Sequence, residues 1–119
     1  MTVAYEHATM VTALVKSGSL IVEQMTANKA DAWHAATGVA GEAGELLDAV
    51  KKHAIYNKPL DRENIVEELG DLEFYMEQLR QNVGVTREET LVANMAKLAV
   101  RYNGMKYSDQ AAQNRADKQ

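Results

Sequence analysis

A single proline, Pro59, stands in a chain whose apolar residues otherwise recur three and four positions apart. Runs in which β-branched residues alternate with polar ones are scarce, so the periodicity points to helices rather than a sheet. Proline cannot continue a helix, because it lacks the N–H and its ring collides with the preceding turn. "NKPLDREN" is therefore the clearest break, with Asp61 placed to cap the next helix and Asn64 three residues on. "NVGVTREE" is the second: Gly84 suits a C-terminal cap, and Thr86 with Glu89 makes a capping box. These breaks predict helices at about 4–26, 30–54, 62–82 and 87–103, the first open to interruption at "SGS" (17–19). Four helices, or five with that interruption, make an all-α bundle over residues 1–107. The polar tail 108–119, "SDQAAQNRADKQ", is expected to fray.

A chain of 119 residues suits one domain and buries on the order of 65% of its unfolded surface. Its net charge of −4 argues against nucleic acid and anionic membrane as partners, since both attract basic surfaces. With no cysteine, disulfides, thiol catalysis and cysteine metal sites are excluded. No apolar run approaches the ~20 residues of a membrane span, and no basic region followed by an apolar core opens the sequence. A soluble cytoplasmic protein is the expectation.

The stretch "HAATGVAGEAGELLDAVKK" (34–52) reads as a helix despite three glycines, each costing roughly 0.8–1.0 kcal/mol against alanine. On a helical wheel, Ala36, Val39, Ala43, Leu46, Leu47 and Val50 form the core face. His34, Gly38, Gly41, Glu42, Glu45 and Lys52 form a stripe along one edge of it, so these acids border the core instead of opposing it. "RENIVEELGDLEFYMEQL" repeats the design. Ile65, Leu69, Leu72, Met76 and Leu79 are the apolar arc, and Asn64, Glu67, Glu68, Asp71 and Tyr75 are the bordering stripe. If the two helices pack antiparallel by their apolar faces, Glu42, Glu45, Glu68 and Asp71 converge on one site. In the fourth helix Leu91, Met95, Leu98 and Tyr102 form the apolar arc beside Asn94 and the edge residues Thr90, Lys97 and Arg101.

One acidic pair spaced i,i+3 usually marks a solvated face. Two pairs, each bordering an apolar face, crowd like charges where desolvation raises their cost, and a hard divalent cation with oxygen ligands offsets it. Magnesium fits best because it keeps waters and shares its sphere with substrate phosphates; manganese can substitute. Acids from two helices and cations from a third suit a metal-bound polyphosphate. Gly38 and Gly41, on the acid stripe, leave space for a ligand, whereas Gly44, turned away from it, reads as close helix packing. His34 is either a hydrogen-bonded edge histidine or a substrate contact. Tyr75 either bonds a phosphate, stacks on a base or closes the core edge. Lys52 projects toward the acids and Lys51 away. Glu67, Glu73 and Glu77 read as solvated, and Met10, Met25, Met76 and Met95 as core filler.

"GEAGELLDAVKKH" followed by "IVEELGDLEFYMEQL" resembles the MazG-like all-α nucleoside triphosphate pyrophosphohydrolases, whose signature is E-x-x-E, a variable stretch, then E-x-x-D. Here these are Glu42-x-x-Glu45 and Glu68-x-x-Asp71. "NMAKLAVRY" resembles the family's later helix, which carries over to Asn94, Lys97 and Arg101. The match covers about residues 30–105. The resemblance implies Mg²⁺-dependent cleavage of an NTP or dNTP to the monophosphate and pyrophosphate, in nucleotide-pool control. It also implies a homodimer or homotetramer that builds its site across subunits. "YNGMKYSDQ" departs from relatives, which often carry a proline after Arg-Tyr.

On this reading Glu42, Glu45, Glu68 and Asp71 bind Mg²⁺ and activate water, one glutamate doubling as general base. Lys52, Lys97 and Arg101 stabilise charge on the leaving pyrophosphate, and Asn94 positions phosphate or sugar. The alternatives are a related dUTPase, dCTPase-like enzyme or phosphoribosyl-ATP pyrophosphohydrolase, or a non-catalytic helical interaction module. A di-iron bundle wants Glu-x-x-His pairs, which neither acidic pair supplies.

Overall fold

Local capping decides where each helix starts. In the computed structural model, which describes residues 2–119, Thr2 caps α1 (Val3–Leu14) and Ser17 caps α2 (Gly18–Gln24), each side chain accepting from a backbone N–H three residues on. Ser17 thereby divides the expected first helix. Thr26 accepts from the Lys29 N–H at 3.2 Å, so α3 (Ala27–Ala54) begins before residue 30. After α3, Asn57 adopts a positive φ of 56° and the His53 ring nitrogen Nδ1 donates to the Lys58 carbonyl at 2.8 Å. Asp61 and Thr86 cap α4 (Arg62–Val83) and α5 (Arg87–Arg101) as their sequence positions predict, accepting from Asn64 at 3.1 Å and Glu89 at 3.0 Å. Gly84 ends α4 with φ 76°, a left-handed conformation that glycine adopts without a Cβ penalty. Among the described residues there is no strand.

The chain forms two compact units, one through Ala30 and the other Asp31–Gln119, dividing near the start of α3. In the first, α1 and α2 contain no buried residue. In the second, α3 and α4 run antiparallel, as three pairings show. Gly38 of α3 faces Tyr75 of α4, His34 also meets Tyr75, and one turn further along α3 Glu42 meets Glu68 and Asp71 earlier in α4. Arg87 at the start of α5 lies 3.9 Å from Glu73 of α4. A cleft of about 560 Å³ opens between Ala36 and Val39 of α3, Met76, Leu79 and Val83 of α4, and Leu91 of α5.

Three expectations change. The wheel's apolar faces do not form a buried core within the chain: among the described residues only Ala35 and Ala49 are buried, while Leu47 is 69% and Leu69 48% exposed. Helices in contact cover only the stripe between them; the rest of each apolar face needs further elements. Gly44 has no neighbouring atom within 4 Å of where a Cβ would stand, so it is not a close-packing glycine here. The tail does not fray. Ser108 caps α6 (Asp109–Asn114) by accepting from the Ala111 N–H at 3.0 Å, and α6 and a 3-10 turn (Ala116–Lys118) both pack on α5. A polar composition hid this, because the contacts rest on three half-buried alanines and one part-buried ion pair.

The space beside Gly38 is occupied by protein, since the Tyr75 ring fills the position where its Cβ would project. Overpacking of this kind costs about 1–3 kcal/mol. Gly38→Ala is therefore expected to destabilise the protein by about that amount in urea unfolding, even though alanine is the better helix former. In a Tyr75→Ala background the same change should be neutral or stabilising.

Candidate metal centre

Glu42 on α3 and Glu68 with Asp71 on α4 each offer a carboxylate oxygen, and these oxygens lie within 4.8 Å of one another. The i,i+3 spacing puts Glu68 and Asp71 on one side of α4, and the antiparallel register set by Tyr75 on Gly38 brings Glu42 opposite them. Glu42 and Glu68 are half-buried and Asp71 is exposed, so the group opens outward at Asp71.

Such crowding carries an electrostatic cost, and one proton reduces it. Glu42 lies within hydrogen-bonding reach of the Glu68 carboxyl, which favours the protonated form of Glu68. That contact, then burial, then the charges of Glu42, Glu45 and Asp71 push the Glu68 pKa from 4.5 up to about 7. Glu68 Oε2 is buried and has no hydrogen-bond partner. A buried acceptor without a donor is costly, and a cation on that oxygen removes the cost. Three convergent carboxylates with one orphaned oxygen are the donor set a hard divalent ion prefers. Among the described residues this is the one group of its kind.

Glu45 is exposed on the next turn of α3. It adds to the negative potential at Glu68 but lies outside the group of three. Tyr75 seats its ring on Gly38, edge-on to His34 at 6.1 Å and to Phe74 at 5.2 Å, so His34 and Tyr75 form an aromatic pair on the stripe. Lys52 is paired with Asp48 at 3.1 Å, an i,i+4 contact exposed on both sides. Asn94 and Lys97 are exposed on α5. Arg101 is bound to Asp117. Glu67 is exposed, but Glu73 and Glu77 are not merely solvated: both hold the Arg80 guanidinium, which is 12% exposed. Asp48 and Glu77 could have been found from helical spacing to a cation. Asp117, sixteen residues from Arg101, leaves no local signal.

The model of the MazG nucleotide pyrophosphohydrolase domain matches residues 34–105, which contain all three carboxylates of the group. No curated protein and no solved structure matches the chain.

The raised Glu68 pKa gives a pH dependence of definite sign. A carboxyl whose pKa is higher folded than unfolded binds the extra proton in the native state, so stability falls as pH rises between the two values. Without divalent ions, urea midpoints are expected to decline between about pH 4.5 and pH 7. Glu68→Gln should remove that decline, and an unchanged slope in the variant would show that Glu68 does not hold the proton.

Proposed function

The chain belongs to the MazG nucleotide pyrophosphohydrolase family, and on that premise we propose that it hydrolyses a nucleoside triphosphate to the monophosphate and pyrophosphate with Mg²⁺ as cofactor. The observation that carries the reading is the convergence of Glu42, Glu68 and Asp71 around an orphaned buried oxygen. Those three residues would hold the ion, displacing the proton from Glu68. When bound, it neutralises phosphate charge and acidifies water. Manganese, similar in ligand preference, is the expected substitute.

The remaining roles fall to the chain's own groups. Glu45, charged and beside the group without belonging to it, accepts the proton of the attacking water. Lys52 is free to leave Asp48 for a phosphate, because an exposed pair of this kind contributes only about 0–1 kcal/mol. Lys97 and Asn94 present a cation and an amide from α5, and Arg101 meets the leaving pyrophosphate. His34 and Tyr75 offer an edge-to-face surface on which a base or ribose packs. No helix among the described residues is long and apolar enough to cross a membrane. Control of a nucleotide pool would place the activity in the cytoplasm.

We also propose that the working form is a homodimer or homotetramer. Its support is the apolar surface each unit exposes: Val3, Leu14 and Val22 in the first, and Leu47, Phe74 and Met95 in the second. Full burial of such a side chain contributes about 1.5–3 kcal/mol, and copies of the same chain cover one another's faces symmetrically. Sedimentation equilibrium is expected to show a dimer or tetramer; a monomer at micromolar concentration would contradict this.

Two substitutions separate holding the ion from moving the proton. Asp71→Asn should abolish both Mn²⁺ binding and pyrophosphate release. Glu45→Gln should abolish release but keep the ion, with helical circular dichroism intact in both. A panel of ribo- and deoxyribonucleotides distinguishes this activity from a dUTPase or dCTPase. Metal-dependent release retained by both variants would remove the assignment.

A further inference from the structure

Arg101 ends α5, and Asp117 sits in the 3-10 turn of the tail. The guanidinium donates from Nε to Oδ1 at 2.7 Å and from Nη2 to Oδ2 at 3.2 Å. The Asp117 side chain is 4% exposed and that of Arg101 16%. The tail is folded to hold this pair. Ser108 caps α6, Tyr107 donates to Asp109 at 2.7 Å, and the Tyr107 ring lies 5.8 Å from that of Tyr102 beside Arg101.

The geometry is side-on. It uses one edge of a planar group with five N–H donors and leaves Nη1 and one N–H of Nη2 on the other edge. Two further arguments set its meaning. A buried ion pair seldom stabilises a fold more than apolar residues of the same shape, so holding the tail does not by itself call for one. A carboxylate also cancels much of the cation's charge, so what it adds is orientation. Recognition of phosphate by arginine depends on the fork being held in one plane.

We propose that Asp117 is a positioning residue that pins Arg101 by one edge so that the opposite edge meets the phosphate oxygens of the substrate. This rests on the pyrophosphohydrolase reading above, in which Arg101 contacts the leaving pyrophosphate. Asp117 touches no substrate itself and acts through Arg101 alone.

The test follows pyrophosphate release by the wild type, Asp117→Asn, Asp117→Glu, Arg101→Ala and the Arg101→Ala/Asp117→Asn double variant, with thermal melting of each. Asp117→Asn is expected to raise KM roughly tenfold and leave kcat within about twofold, because the pinned edge meets the phosphate oxygens on binding and keeps that contact unchanged through the reaction. Asp117→Glu, with its carboxylate one methylene further out, should raise KM less; if the Asn variant does not fold, this one decides. On Arg101→Ala, Asp117→Asn should add nothing. A lowered melting temperature with wild-type KM overturns the proposal and leaves the functional reading standing, as does an equal loss in the Arg101→Ala background. If the wild type releases no pyrophosphate, calorimetry with Mg²⁺ and inorganic tripolyphosphate decides. Binding weakened by Asp117→Asn supports positioning, binding unaffected by it overturns positioning, and absence of wild-type binding overturns both readings.

Discussion

The register between α3 and α4 is the constraint on which the site depends. An aromatic ring on a bare backbone can fix such a register, because any other residue at the glycine would push the helices apart. Tyr75 on Gly38 is that contact. One turn further along, the same alignment brings Glu42 against Glu68 and Asp71. The poor helix former in α3 is thus part of how the carboxylates are gathered, although no ligand fills its space.

Gathering them creates the chemical opportunity. Three carboxyls around a partly buried point cannot all be ionised cheaply, which raises the Glu68 pKa and leaves a buried Oε2 without a partner. A divalent ion satisfies the same need and adds a Lewis acid. On the proposed reading, proton and cation are alternative occupants of one negative site, and metal affinity should rise with pH through the range where Glu68 loses its proton.

What the sequence revealed and what it hid divide along the distance between interacting groups. Caps at Asp61, Gly84 and Thr86 involve neighbours in sequence and were readable as spacing. The two acidic stripes followed from the helical period, and family membership followed from their pairing. Beyond the meeting of Glu42 with Glu68 and Asp71, residue partners across elements were not readable. A wheel shows that Leu47 and Leu69 share apolar faces with their neighbours but not whether anything within the chain covers them. It placed Gly38 beside the acids without showing that Tyr75 fills the gap. The tail was misread for the same reason: composition counts polar residues, while the structure depends on one of them, Asp117, finding Arg101.

In the proposed function, acids from two helices hold one divalent ion. Diffraction from crystals soaked in Mn²⁺, with data collected for the metal's anomalous signal, tests it most directly. The account predicts an anomalous peak bounded by Glu42, Glu68 and Asp71, with Glu68 Oε2 among its ligands. A map with no peak there, or with manganese bound only elsewhere on the surface, would contradict it.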